Sequence, residues 1–182
     1  DAGGLAYWVG QLNSGLPREI ALAGFMFTPE FTGFAQSIFG NTAVRKEIDV
    51  VGDFYRGILG RLPDDAGLAF WLQQFRTAQC QGAPAVNTQV EAISSQFATG
   101  SEYLARARTN AQYVGDLYNA FLRRGGDLAG TQFWITQLAT QTREQVRKSF
   151  VASTEFQARV SAVVAQGCLG KVYYLSPTGS DT

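Results

Sequence analysis

Few side chains in this sequence have a capacity for chemistry. Asp64 and Asp65 follow Arg61, and Asp127 follows Arg123 and Arg124. Two carboxylates can divide acid and base work on a glycosidic bond when a cleft holds them apart across the substrate. Asp64 and Asp65 instead adjoin one another on a single connector, where capping of the next helix and an ion pair across the turn are the competing roles. Three tryptophans each follow another aromatic residue, as Tyr7-Trp8, Phe70-Trp71 and Phe133-Trp134. Such rings can stack on sugars, with Gln73, Gln74, Gln132 and Gln137 nearby to supply amides, or they can build a core. Cys80 and Cys168 are either a disulfide or two thiols, because spacing alone does not show proximity.

There is no histidine, which removes histidine acid-base catalysis and histidine-ligated metal sites. Two cysteines are too few for an all-cysteine zinc site. No glycine-rich phosphate loop follows a strand, since the body of the chain shows no strand pattern. No catalytic residue, cofactor or metal ligand is assigned, and the chain reads as not an enzyme.

The elements that would position these residues are written as a repeat. Trp8, Trp71 and Trp134 are 63 residues apart in both intervals, each in the frame Asp-x-x-Gly-x-x-aromatic-Trp, beginning at Asp1, Asp64 and Asp127. One period used three times means one helical unit stacked on copies of itself. Val51, Gly52, Asp53, Tyr55, Leu59 and Arg61 also recur 63 residues on, with Arg61 matched by Arg124. Val51, Phe54, Tyr55, Ile58 and Leu59 follow amphipathic helical spacing and predict a first helix, ended by Gly60 and Pro63. Asp64 then caps a second helix with the stripe Leu68, Trp71, Leu72 and Phe75, matched in the first copy by Leu5, Trp8, Val9 and Leu12. A third helix follows Pro17 in the first copy and the capping-box pair Thr142 and Gln145 in the third copy. A closing cap-and-Glu turn occurs at Thr28, Gly100 and Ser153.

From Trp to the Glu of the closing turn the separations are 8 to 30, 71 to 102 and 134 to 155. The second copy therefore carries about nine extra residues, expected as a surface loop over 79–87. In the third copy Arg123, Gly125 and Gly126 replace Gly60, Leu62 and Pro63, which predicts a looser connector there. The first copy is rich in phenylalanine, at 25, 27, 31, 34 and 39, and part of that cluster is expected to be surface left bare by a missing first helix.

The fold class is all-α, a multi-helix bundle of about ten helices in two complete repeats and one N-terminally truncated one. The divisions are 1–44 for the truncated repeat, 45–108 for the second, 109–169 for the third, and 170–182 for a short β-prone tail. Asp1 falls mid-repeat, so the chain is expected to be a piece of a longer polypeptide. Fifteen basic and fifteen acidic residues cancel, giving no electrostatic case for nucleic acid. No apolar run approaches the ~18 residues that insert in a membrane.

The string F-Y-R-G-I-L-G-R-L-P-D-D-A-G-L-A-F-W from Phe54, with the later S/T-x-E-F/Y turn, resembles the bacterial helical repeat called domain of unknown function 4214. That family is similar in turn to the phycobilisome linker domain. The resemblance implies a secreted or cell-surface bacterial protein, joined to calcium-binding repeats, β-helices or polysaccharide-acting domains, and supplies no catalytic residue. The tail K-V-Y-Y-L-S-P-T-G-S-D-T is similar to the opening of pectate-lyase-type right-handed β-helices, which implies such a domain, or a linker to it, from residue 170. The expected function is a non-catalytic interaction or scaffolding module that positions an adjacent domain of the same polypeptide, with a polysaccharide or cell-surface protein as further partner. The alternative is a carbohydrate-binding module that uses Tyr7, Phe70 and Phe133.

Overall fold

The computed structural model describes residues 1–39 and 45–168, apart from the side chains of Ala35, Gln36, Ile38 and Phe39. The β-prone tail and the β-helix expected from it lie outside the described residues. Within them the chain forms eleven α-helices and two π-helical turns, with no strand.

Unit one comprises α1 (Ala2–Asn13), α2 (Arg18–Met26) and α3 (Pro29–Phe39). Unit two runs α4 (Lys46–Phe54), a π turn (Tyr55–Leu59), α5 (Asp65–Gln79), α6 (Ala83–Thr99) and α7 (Ser101–Ala105). Unit three repeats that order as α8 (Asn110–Leu117), a second π turn (Tyr118–Leu122), α9 (Leu128–Gln137), α10 (Arg143–Ala152) and α11 (Thr154–Ala165).

The amphipathic first helix thus changes pitch at its C-terminal end. Each π turn closes on a left-handed residue, Gly60 at φ 70° and Arg123 at φ 53°. The widened turn leaves carbonyls without helical partners, and equivalent arginines answer them. Arg106 donates to Ile58 O, while Arg159 donates to Phe121 O at 2.7 Å and Ala120 O at 3.3 Å.

The two π turns meet at the centre of the molecule. A Cβ on Gly57 would sit 2.6 Å from the backbone of Ala120, its own counterpart in the next unit. Contact between equivalent positions is the signature of a local two-fold relation. Arg56 also meets its counterpart Asn119, donating to Oδ1 at 3.0 and 3.2 Å. An arginine at both positions would oppose like charges across that axis, and Asn119 removes the conflict. Around this crossing, Phe54, Phe121 and Phe156 stack in a buried triad, which Phe150 of α10 extends through Phe121 into one core shared with Val90, Ile93 and Val146.

Three expectations are corrected by the elements themselves. Residues 79–87 are not one loop: only 80–82 form a turn between α5 and α6, and the extra residues otherwise lengthen the two helices, α5 having 15 residues against 10 in α9 and α6 17 against 10 in α10. Burial of the added turn makes this favourable, since Gln79 is buried and donates to Val163 O at 2.5 Å. The connector at Gly125 and Gly126 is not loose. A Cβ on Gly125 would strike the Ile20 carbonyl of α2, and one on Gly126 would lie 2.7 Å from the Tyr118 ring, so glycine here permits close packing. The stripe Leu5, Trp8, Val9 and Leu12 does not form a core face. Leu5, Val9 and Leu12 are exposed, and α1, whose main packing partner among the described residues is α2, buries no residue fully.

Candidate interaction surface

The recurring motif residues converge in unit two on one aromatic seat. Tyr55 packs edge-on against Phe97 at 4.8 Å between ring centres, and Trp71 meets the same ring at 5.9 Å. Arg61 lies over the Tyr55 ring at 5.0 Å and reaches Glu102 through two hydrogen bonds of 2.6 and 3.1 Å. Asp64 caps α5 by accepting from Gly67 N at 2.8 Å. The tyrosine hydroxyl closes the seat so tightly over Gly67 that a Cβ at that residue would overlap it.

Unit three reproduces each contact. Tyr118 and Trp134 flank Phe150 at 5.2 and 5.1 Å, and Arg124 lies 5.2 Å above Tyr118. The same arginine joins Glu155 at 2.8 and 2.9 Å, while Asp127 accepts from Gly130 N at 2.7 Å. Glycine 130 again underlies a tyrosine hydroxyl, its Cβ position 2.8 Å from Tyr118 Oη. Asp127 pairs with neither Arg123 nor Arg124. Arg123 turns instead to Asp49 at 3.4 Å and buried Asp53 at 3.3 Å.

These partners explain the electrostatics. Bonds from Arg61 hold the Glu102 carboxyl below the usual range, and the Gly67 amide does the same for Asp64. Burial pushes the Tyr55 and Tyr118 hydroxyls up. A raised carboxyl occurs at buried Asp116, where desolvation outweighs the opposing bonds from Arg108 and Tyr103. All of these groups are tied to neighbours in the fold. Asp65, the second carboxylate of the connector, stands exposed in the first turn of α5. Among the described residues no cluster of three acidic or cysteine side chains is arranged to hold a metal, and no helix is long and apolar enough to cross a membrane.

Trp71 is buried, whereas Trp8 and Trp134 are half-buried at the edge of the core. Tyr7, Phe70 and Phe133 are exposed, each set edge-on to its own tryptophan at 5.0 to 5.2 Å. They ride on α1, α5 and α9, whose main packing partners differ: α2 for the first, α4 and α6 for the second, α8 for the third. Gln132 donates to Ser14 O at 3.4 Å and Gln137 accepts from Gln141 at 2.8 Å. Gln73 is exposed and Gln74 half-buried. Cys80 and Cys168 form a disulfide with Cα atoms 4.7 Å apart, tying the end of α5 to the residues after α11.

Unit one holds half of the aromatic seat. Trp8 packs on Phe25 at 4.8 Å, as Trp71 does on Phe97, and Asp1 accepts from Gly4 N at 2.6 Å. Among the described residues Tyr7 meets Trp8 edge-on at 5.2 Å, and no tyrosine and arginine are seated there as Tyr55 and Arg61 are in unit two. A groove of about 750 Å³ opens in that place, lined chiefly by Gly4, Trp8, Phe25, Glu30, Phe31 and Phe34. Of the twelve large apolar side chains standing exposed among the described residues, eight lie between Leu5 and Phe34, so the bare apolar surface concentrates here. Phe27 leaves the expected cluster, because the guanidinium groups of Arg56 and Arg123 cover its ring at 4.8 and 5.6 Å. The side chain of Phe39 lies outside the described residues.

Residues 93–160 match the Domain of unknown function (DUF4214). The matched stretch begins in α6 and takes in the closing turn of unit two and nearly all of unit three, including the seat of Tyr118, Trp134 and Phe150. No curated protein matches the chain. No solved structure matches it either.

Fully buried Arg147 is a residue that sequence reading missed. It donates to Ser94 Oγ at 2.6 Å, to Glu144 and to Glu91, joining α10 to α6. Its only sequence signal is an arginine in the middle of the apolar run Val146, Phe150 and Val151.

Proposed function

We propose that this chain is a non-catalytic interaction or scaffolding module, built from three units of the kind matched over residues 93–160, with the exposed apolar side chains of unit one as its contact surface. The observation that carries the reading is the unequal fate of one motif. In units two and three its arginine, glutamate, aspartate and tryptophan are spent on internal contacts, while eight of the twelve exposed large apolar side chains among the described residues lie in unit one. Exposed patches of this kind mark places of association. The disulfide supports an oxidising, extracellular or cell-surface setting. The tail string supports an adjacent β-helix domain, with polysaccharide as its substrate class.

The test has two parts. Sedimentation of the purified chain is expected to show concentration-dependent association that disappears in a Phe25→Ser, Phe34→Ser variant of unchanged helical content. The chain is also expected to turn over no polysaccharide; measurable hydrolase or lyase activity overturns the reading.

A second reading, carbohydrate binding, is favoured by one feature: Tyr7, Phe70 and Phe133 are all exposed and all braced by an indole. Calorimetry against a glycan panel separates the two. Saturable sugar binding that is lost on Phe70→Ala and Phe133→Ala, with the groove intact, replaces the interaction reading with this one.

A further inference from the structure

Asp53 and Asp116 are equivalent buried carboxylates, yet the fold surrounds them unequally. Asp116 is held by the fork of Arg108 at 2.7 and 2.9 Å and by the Tyr103 hydroxyl at 2.7 Å. Asp53 instead gathers three guanidinium groups. Arg56 donates to one oxygen at 2.7 Å, Arg159 donates to the other, and Arg123 approaches that second oxygen at 3.3 Å. Arg123 also lies 3.4 Å from Asp49, with Lys46 on the same carboxylate at 3.9 Å. Four cations therefore face two carboxylates, an excess of two positive charges. Burial pulls the Arg159 guanidinium down from its ordinary value against the opposing attraction of Asp53, a cost that a further negative charge relieves.

The excess faces a hollow of about 360 Å³ between α4, α11 and the end of the second π turn, lined chiefly by Lys46, Asp49, Arg123, Ala158, Arg159 and Ala162. That volume lies in the range of small-ligand sites. Two features mark its charge as more than a requirement of packing. Among the described residues Arg123 and Lys46 donate no side-chain hydrogen bond; their carboxylate contacts are loose, at 3.3 to 3.9 Å, and Arg123 Nε is buried without a partner. Arg123 also holds a left-handed backbone, φ 53°, which strains any residue with a side chain. Its counterpart 63 residues earlier is Gly60, and the counterpart of Lys46 is Thr109, so the repeat folds without either cation. A strained arginine where the repeat elsewhere has glycine points to a use for its guanidinium.

We propose that this hollow binds an oxyanion, a phosphate or carboxylate group, gripped by Arg123 and Lys46 above the buried Arg159. The planar fork of Arg123 suits two oxygens of one group, and Lys46 adds a point charge. Asp49 engages Arg123 loosely when no anion is present and works against binding. The site is built by units two and three and is independent of the reading of unit one as a contact surface.

Calorimetric titration of the full 182-residue chain at low ionic strength tests the site, with inorganic phosphate and glucuronate as separate titrants and sodium chloride at equal ionic strength as control. Saturable one-to-one binding of at least one oxyanion is expected, and the tighter titrant tells a free ion from the acid group of a saccharide. Arg123→Gly, which installs the residue found at position 60, is expected to weaken binding at least about tenfold while the chain keeps its helical content. Lys46→Gln, at an exposed position, is expected to weaken it about threefold, and Asp49→Asn to tighten it about threefold by removing a competing charge. Should Arg123→Gly unfold, those two variants decide through their opposite signs. No saturable binding of either oxyanion, an equal response to chloride, binding that survives Arg123→Gly, or weaker binding in Asp49→Asn overturns the proposal.

Discussion

At the scale of single residues, glycine reports what touches the backbone. Gly52 and Gly57 both lie in the first helix of unit two, but a Cβ on Gly52 meets nothing within 4 Å whereas one on Gly57 meets Ala120. Alanine at position 52 should therefore be tolerated or stabilising by up to about 1 kcal/mol, through reduced freedom of the unfolded chain. Alanine at 57 should cost about 1–3 kcal/mol, as overpacking does. Urea denaturation of the two variants checks the contrast, and equal effects would contradict the central crossing of the π turns. The recurrence of Asp53 and Asp116, of Arg61 and Arg124, and of the tryptophans was legible from spacing alone. The partners were not. Arg159 reaches Asp53 from 106 residues away, and Arg147 is buried among residues contributed by α6, so neither contact leaves a periodic trace.

At the scale of elements, caps and helix faces were legible because their causes are local. Asp64, Asp127, Thr142 and Ser153 each accept the amide expected of an N-cap. Helix lengths and π turns were not, because tertiary burial decides them: Gln79 extends α5 by finding Val163, and the π turns persist because Arg106 and Arg159 bind their carbonyls. The disulfide joins residues 88 apart, and chain entropy assigns such a closure roughly 4.5 kcal/mol. Reduction should lower the thermal midpoint by many degrees, read by calorimetry with and without reductant. An unchanged midpoint would mean that the bridge does not constrain the unfolded chain.

The inter-element ion pairs set the response to acid. Glu102 and Glu144 are held low by bonds from Arg61 and Arg147, so their contribution is complete above the unfolded carboxylate value of about 4.3 and fades as pH falls through the lower folded value. Asp116, raised by burial, works the other way: its contribution is present below its unfolded value of about 3.9 and is lost as pH rises through the higher folded value. Stability should therefore decline below about pH 4, and Glu102→Gln should make the decline shallower; a steeper decline in that variant would reverse the assignment.

At the scale of the whole molecule, one motif used three times has two outcomes. Units two and three close their aromatic seats with their own tyrosine and arginine, and unit one leaves the seat open beside most of the exposed apolar side chains. Trp8 is the natural reporter of that difference. In chains that keep a single tryptophan each, Trp71 should emit to the blue and resist acrylamide, whereas Trp8 should be readily quenched. Equal quenching of Trp8 and Trp71 would contradict the account.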